Sequence, residues 1–596
     1  MILKSAFFVI AFAALFSGLL LCKKTEKKEN IIVWITMCII FIMCLNGFLS
    51  TLIKLIKLPR SVVFMGGMDL ICAIPLWMRN IKKGTQKYCV TKLDLVFSFL
   101  AVAMVAYIAH ARYGSDISIN FCLIDSANHY SAAHSVAFDH KYINNLYLAA
   151  LNSGLAMETF LPILGDFNVY KIFIVWESGY FLLQIMTLCA IIRRMTDKKS
   201  GIVTAGIMSL LYGLGYPLYV LEFGFSYLGV SIAVLAMIIF ALELYNETFD
   251  EDAEGVKQTR AVAVAMMFCG LYGIFICYTL FVPFVFVGAF LALCIIFKQK
   301  DKLFSVKTVI RMLIIFLIPS ALGMLESFVD LQYLSEGSGA NNAAEGAVST
   351  AQIAVEGGCY NELYSNFVLM LPFILYGGYL FIKRRKGTGV IGLTIVLLMF
   401  SAAMFVLALK GRVSVYYLIK VMNPLWLVAY IMVFAGFTEI YSKSRALMIC
   451  IALTFAFLFG MVYTRTDEKI LNINNRLIRV TSDCFLNVYA FTHEFMKSGR
   501  IDANGRDLMK YADAEFPEDA GIIAVGDDVY TTWFKALTGR SIDNCNFSDQ
   551  LEKLKTTTAQ YMVVEYSIVY YENAEYIDSL GEKIISNDSG YIMKIN

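Results

Sequence analysis

Long apolar runs, each near the length of a bilayer crossing, alternate along this chain with short charged connectors. A helix needs about 20 consecutive apolar residues to cross the hydrocarbon layer. Windows of that size predict roughly fourteen spans, at residues 2–22, 31–53, 61–78, 91–110, 170–192, 201–221, 225–244, 261–278, 280–297, 308–326, 366–382, 389–409, 417–440 and 446–464. The first window has no small-residue cleavage site behind its apolar run, so it reads as an uncleaved helix and not a signal peptide.

The connectors carry the orientation. The runs "KKTEKKEN" (23–30), "RNIKKGTQK" (79–87), "RRMTDKK" (193–199), "KQKDKLFSVKTVIR" (298–311) and "KRRK" (383–386) all fall on one side of this alternation. An excess of Lys and Arg marks the cytoplasmic side. Three features then face the other side: the loop 111–169, whose only basic residues are Arg112 and Lys141; the loop 327–365, which has none; and everything from 465 to 596.

That tail has a different texture. Strand-length apolar runs, "AGIIAVG" (520–526), "YMVVEY" (561–566) and "GYIMKIN" (590–596), are separated by helical patterns, "VYTTWFKALTG" (529–539), "DQLEKLKTTTA" (549–559) and "AEYIDSLGEKI" (574–584). Such alternation predicts a small α/β domain, with residues 466–515 ahead of it mostly helical. The tail contains no glycine-rich phosphate loop and no nucleophile elbow.

Composition agrees with a membrane protein: 59% of residues are hydrophobic and 16% charged, and the mean hydropathy is +0.66. The net charge of +3 gives no reason to expect nucleic acid as a partner. The 14 cysteines are scattered without a C-x-x-C pair or a zinc spacing, and read as small apolar fillers.

Against this background the stretch "CLIDSANHYSAAHS" (122–135) stands out. Four of the five histidines, His110, His129, His134 and His140, lie in or near it. If the stretch is helical, Asp125 and His129 lie one turn apart on one face, while Ala127, Tyr130, Ala133 and Ala137 form a less polar face expected to rest on the membrane surface. A carboxyl there, partly desolvated beside an imidazole, is poised for proton transfer. Asp116, Asp139 and His140 read more simply as helix decoration. Asp125, His129 and His134 are suitable metal ligands by type, but the two histidines are five residues apart, a poor spacing on one helix, so no metal-ligating set is assigned. Glu177 lies within a span, and Glu222, Glu326 and Asp330 at outer ends, where an ionisable group is expensive. The segment "KGRVSVYYLIKVMNP" (410–424) sets Arg412, Tyr416, Tyr417 and Lys420 at the outer boundary, against the positive-inside trend. A phosphate there would explain the basic pair, with Arg412 the stronger candidate and Lys420 reading first as a snorkelling side chain.

The chain resembles a GT-C type membrane glycosyltransferase from about residue 90 to 596. The resemblance rests on a helix (91–110) leading into a first large external loop with an early acid, Asp116 or Asp125 in "DSANHY", on amphipathic stretches in that loop, on "GFSYLGVSIAVLAM" (224–237), and on an external tail opened by "DLMKYADAEFPEDAGIIAVGDD". It implies a polytopic α-helical membrane protein with a C-terminal extracytoplasmic α/β domain. Residues 1–85 would be N-terminal helices, 86–464 the GT-C-like core and 465–596 the external domain. It also implies an inverting transfer from a polyprenyl-phosphate sugar to a glycan or lipid-linked acceptor at the outer face of the cytoplasmic membrane of a bacterial cell. A loop acid would act as base on the acceptor hydroxyl. The candidate catalytic residues are then Asp125, Asp116, Glu222 and His129, and the candidate substrate-binding residues Arg412, Tyr416, Tyr417 and Lys420. The family pattern often has an acid doublet; here Ser126 follows Asp125, so Glu222 is the expected second acid. No cofactor is assigned, and a divalent metal stays open. Two other classes stay open as well: a transporter or flippase of envelope precursors, for which only "GLYGIFICYTLFVPF" (270–284) hints at a broken helix, and a non-catalytic envelope-assembly protein.

Overall fold

The structure, a computed structural model, describes residues 2–22, 28–120, 125–140, 147–222, 224–248, 254–299, 305–336, 370–384, 387–410, 412–413, 415–464 and 501–596. Up to residue 464 it is helical: α1 (Ile2–Leu21), α2 (Ile31–Leu55), α3 (Val62–Lys83), α4 (Lys92–Tyr113), α5 (Asp125–Phe138), α6 (Tyr147–Leu164), α7 (Tyr170–Arg194), α8 (Lys199–Gly213), α9 (Tyr216–Glu222), α10 (Ser226–Glu247), α11 (Glu254–Phe275), α12 (Val282–Gln299), α13 (Val306–Glu336), α14 (Leu371–Arg384), α15 (Thr388–Leu409), α16 (Val415–Lys443) and α17 (Arg445–Thr464). Among the described residues, twelve segments are long and apolar enough to cross a membrane, with α8 and α9 together forming one of them. The two remaining predicted windows, 366–382 and 446–464, coincide with α14 and α17.

Helix α10 is the centre of the bundle: from Ser226 to Leu242 every residue is buried, and α2, α6, α7, α11, α12, α15 and α16 pack around it. Water does not drive helices together inside a bilayer, so close backbone approach at small residues does much of the work. A Cβ added at Gly377 of α14 would lie 2.0 Å from the carbonyl oxygen of Met432 in α16. Helices α1 and α3 pair at the edge of the bundle and leave much apolar surface exposed.

The basic connectors meet at one end. There Glu29–Asn30 (β1) pairs in parallel with Tyr88–Cys89 (β2), Asn30 Nδ2 donates to Asp94 at 2.9 Å, Arg193 grips Asp94 at 2.7 Å, and Arg194 reaches Glu247 at 2.5 Å. Glu243 accepts from the Gly387 and Gly389 amides at 3.2 and 2.7 Å. At the opposite end Glu158 accepts from the Val62 amide at 3.0 Å, and the Leu148 amide donates to the Ile276 carbonyl at 3.0 Å. Helix termini are therefore distributed between the two ends as the predicted alternation of spans requires.

The tail forms a five-stranded sheet from β3 (Ile522–Val525), β4 (Ile542–Cys545), β5 (Tyr561–Glu565), β6 (Gly581–Asn587) and β7 (Gly590–Ile595), in the order β4-β3-β5-β7-β6. β3 runs parallel to β4 and β5, whereas β7 is antiparallel to β5 and β6. Helices α18 (Ala503–Glu515), α19 (Asp528–Thr538), α20 (Glu552–Thr556) and α21 (Ile568–Asp578) complete the domain. Asp527 caps α19 by accepting from the Val529 amide at 2.8 Å, and Gly539, at φ 66°, ends it. The apolar runs locate β3, β5 and β7. β4 and β6 escape that pattern because they lie at the sheet edges and hold few buried residues.

Two expectations need correction. The loop 111–169 contains an apolar helix, α6, that inserts against α1, α2 and α7, instead of only amphipathic stretches. The Ala127, Tyr130, Ala133 and Ala137 face of α5 does not lie on a membrane surface. It enters a shared core with Phe173 and Ile174 of α7 and with Leu508, Met509, Trp533 and Phe534 of the tail. Most of the expected loop 327–365 and the stretch 465–500 lie outside the described residues.

The Arg193–Asp94 pair is buried on both sides. Removing Asp94 leaves Arg193 only the exposed Asp197 and the Thr196 carbonyl, which costs up to about 3–5 kcal/mol. Asp94→Ala should lower unfolding stability in detergent by that amount; a change under about 1 kcal/mol would show the pair to be solvated.

Candidate functional site

Asp125 is the first residue of α5 and is half-buried. One turn later His129 is buried, 6% exposed, with its ring stacked on Tyr227 at 5.1 Å and 19°. Tyr227 stands in the first turn of α10, the segment where Gly224 takes φ 66° and lets the chain turn from α9 into the central helix. The Tyr227 hydroxyl accepts a hydrogen bond from Lys420 Nζ.

Lys420, in the second turn of α16, is only 4% exposed. It does not snorkel. Its ammonium lies 4.6 Å from the Phe225 ring centroid, 4.8 Å from that of Tyr227 and 5.5 Å from that of Tyr278. Aromatic faces stabilise a desolvated cation by about 2 kcal/mol or more each, against a desolvation cost of several kcal/mol. Further stabilisation comes from the Tyr227 hydroxyl and from Asp125, whose charge interacts with that of Lys420.

The same neighbourhood sets two protonation states. Burial pushes the Asp125 carboxyl above its ordinary value, and the Lys420 charge partly offsets this. Burial, and secondly the Lys420 charge, push the His129 imidazole down to about 4, so it is neutral at pH 7. Asp125, His129, Tyr227 and Lys420 thus form one cluster drawn from three helices, beside Phe225 and Tyr278.

The other expected residues are placed elsewhere. Asp116 pairs with Arg506 of the tail at 2.6 Å. Glu222 is buried, 2% exposed, at the end of α9, where Arg112 Nη2 donates to its backbone carbonyl at 2.6 Å and the Arg112 charge faces its carboxyl. Arg412 is exposed just past α15, and Tyr417 is exposed on α16. The Tyr416 side chain lies outside the described residues. His134 points to Asp166 at 3.5 Å and stacks on Phe138 at 4.0 Å. Among the described residues no group of three or more His, Cys, Asp or Glu side chains is placed to hold a metal ion. Sequence reasoning missed Tyr227, Phe225 and Tyr278. Their signal was the aromatic density of "FGFSYLG" and "ICYTLF", next to spans that contain almost no charge.

No protein-family model and no curated protein matches the chain. Solved structures similar to it include ArnT from Cupriavidus metallidurans bound to undecaprenyl phosphate, at 12% identity and a TM-score of 0.48, covering 85% of this chain and 98% of that one. The same protein in the apo state gives 13% identity and a TM-score of 0.47, covering 84% and 97%. The Archaeoglobus fulgidus oligosaccharyltransferase complexed with Zn and sulfate gives 12% identity and a TM-score of 0.44, covering 84% and 73%. At these values the likeness assigns no residue a role.

The neutral His129 has a thermodynamic consequence. Below pH 6.5 the unfolded chain takes up a proton there that the folded protein refuses until about pH 4. Folding stability therefore falls through that window by about 3 kcal/mol. With five histidines in the chain, nitrogen-15 histidine spectra should show one imidazole still neutral at pH 5. Five midpoints near the ordinary value would contradict this.

Proposed function

We propose that the chain is a GT-C type glycosyltransferase that moves a sugar from a polyprenyl-phosphate donor to an acceptor hydroxyl at the outer face of the cytoplasmic membrane. The observation that carries the reading is the buried Lys420 ammonium within electrostatic reach of the half-buried Asp125 carboxyl, at the end of the bundle opposite the basic connectors. A carboxylate and a fixed cation in one cluster are the two groups that such a transfer asks of a protein.

In this reading Lys420 holds the donor phosphate as a point charge. Asp125, its basicity raised by burial, accepts the acceptor's hydroxyl proton as that oxygen attacks the anomeric carbon. The bond from the anomeric carbon to the phosphate oxygen breaks on the opposite side, inverting the centre. The polyprenyl phosphate leaves with its new negative charge against Lys420. Neutral His129 adds no second cation and, stacked on Tyr227, fixes the tyrosine that hydrogen-bonds Lys420. Glu222 is buried with Arg112 on its backbone carbonyl, and no proton transfer is assigned to it. The Lys420 charge acts on both Asp125 and His129, and no step is assigned to a divalent metal. Arg412, just past α15, and Tyr416 and Tyr417, in the first turn of α16, precede Lys420 and are proposed to meet the lipid headgroup region.

Removing a positioned base lowers a transfer rate by about 10²–10⁴-fold. Asp125→Asn should remove the gene-dependent mass shift from envelope glycans at equal protein level; full transfer by that variant would refute the assignment. The sidedness has its own check. In spheroplasts a membrane-impermeant maleimide should label a cysteine placed at exposed Asp519 in the tail and leave Cys89, exposed at the basic end, unlabelled. The reverse pattern would invert the topology.

A further inference from the structure

The tail domain touches the helix that begins with Asp125, and this contact gives the domain a task within the transfer. Helix α5 has 14 residues and a sequence rich in Ser, Ala, Asn and His. Helices that short are marginal on their own, so its tilt and height depend on what it packs against. One wall is α6: a Cβ at Gly154 would lie 2.6 Å from the Ala133 carbonyl oxygen, so the two backbones are nearly in contact. The other wall is α19 of the tail. Trp533, fully buried, lies 5.5 Å from the Tyr130 ring, and Tyr130 meets Phe173 edge-on at 5.5 Å on its other side.

Two further ties fix the tail to the segment just ahead of α5. The Ile501 amide donates to the Ile119 carbonyl at 3.3 Å. Arg506 donates to Asp116 at 2.6 Å and to its own Ile501 carbonyl at 3.2 Å, and its guanidinium stands 6.0 Å from the Tyr170 ring. Arg506 is buried while Asp116 is half exposed. The carboxylate thus acts as an outer hook on a cation already embedded in the tail.

We propose that the tail domain is a clamp that sets the position of Asp125, with Trp533 and the Asp116–Arg506 pair as its positioning residues. This rests on the proposed transfer reaction. Asp116 is then a tether and not a reacting acid. The clamp acts first on the base, because Lys420 and its three aromatic rings stand on α16, at the start of α10 and in the connector before α12.

The test compares two readouts in the full-length protein: yield of the gene-dependent envelope glycan by mass spectrometry at equal protein level, and binding of polyprenyl phosphate to the purified protein. A misplacement near 1 Å costs on the order of a hundredfold in rate. Trp533→Ala should lose that much yield while polyprenyl-phosphate affinity stays within about twofold, and Trp533→Phe should restore most of the yield. Asp116→Asn, which still accepts a hydrogen bond from Arg506, should keep most activity; Asp116→Arg should lose it, and Asp116→Arg combined with Arg506→Asp should regain it. Full yield from both Trp533→Ala and Asp116→Arg would overturn the clamp, as would abolition by Asp116→Asn. Loss of phosphate binding in step with yield in both variants would also overturn it, by making the contact merely structural. Asp125→Asn is the control. If it is fully active, the transfer reading itself fails; if it is inactive while the clamp variants are fully active, only the clamp fails.

Discussion

A buried ammonium constrains this site more than any other feature. Taking a lysine out of water costs several kcal/mol, which the three rings around Lys420 offset by about 2 kcal/mol or more each. A hydrogen-bond acceptor, Tyr227, and a negative charge, Asp125, hold it further. Those two residues lie in different helices from Lys420 and from each other. The cluster is therefore a joint requirement on α5, α10 and α16, and the same requirement makes it chemically useful. A cation that cannot be solvated binds an arriving anion in place of water. A carboxyl denied full solvation becomes a better base.

The surrounding fold meets that requirement from two directions. From the membrane side, α10 is buried along nearly its whole length and carries Tyr227 at its outer tip. From the other side, the tail's α18 and α19 share a continuous apolar core with α5 and the outer end of α7. The first long loop and the C-terminal domain are thus one packed unit, despite nearly four hundred intervening residues between Asp116 and Arg506.

Much of the architecture could be read from the chain because the bilayer leaves few choices. Any segment that crosses it must be apolar and helical, so the spans and their alternation follow from hydropathy and from five basic runs. The stretch holding Asp125 was conspicuous because four of the five histidines lie in or near it, and the structure sets Asp125 at the start of α5. Lys420 was misjudged because a lysine near a span end usually reaches water, and nothing local in "YYLIKVMNP" shows that three aromatic rings from residues 225–278 close over it. The α5 face was misassigned for a related reason. Its alanines and Tyr130 match a membrane surface and a protein core equally well, and only the tail's placement distinguishes the two. The edge strands β4 and β6 failed because partial burial removes the period that identifies a strand.

The most direct test of the account is where the lipid phosphate binds. A cryo-electron microscopy structure of the protein with polyprenyl phosphate should place the phosphate against Lys420 Nζ at about 3 Å, with Asp125 across a space wide enough for a hydroxyl and an anomeric carbon. A phosphate held instead at Arg412, with Lys420 still closed under its aromatic rings, would contradict the assignment of the buried cation and the mechanism built on it.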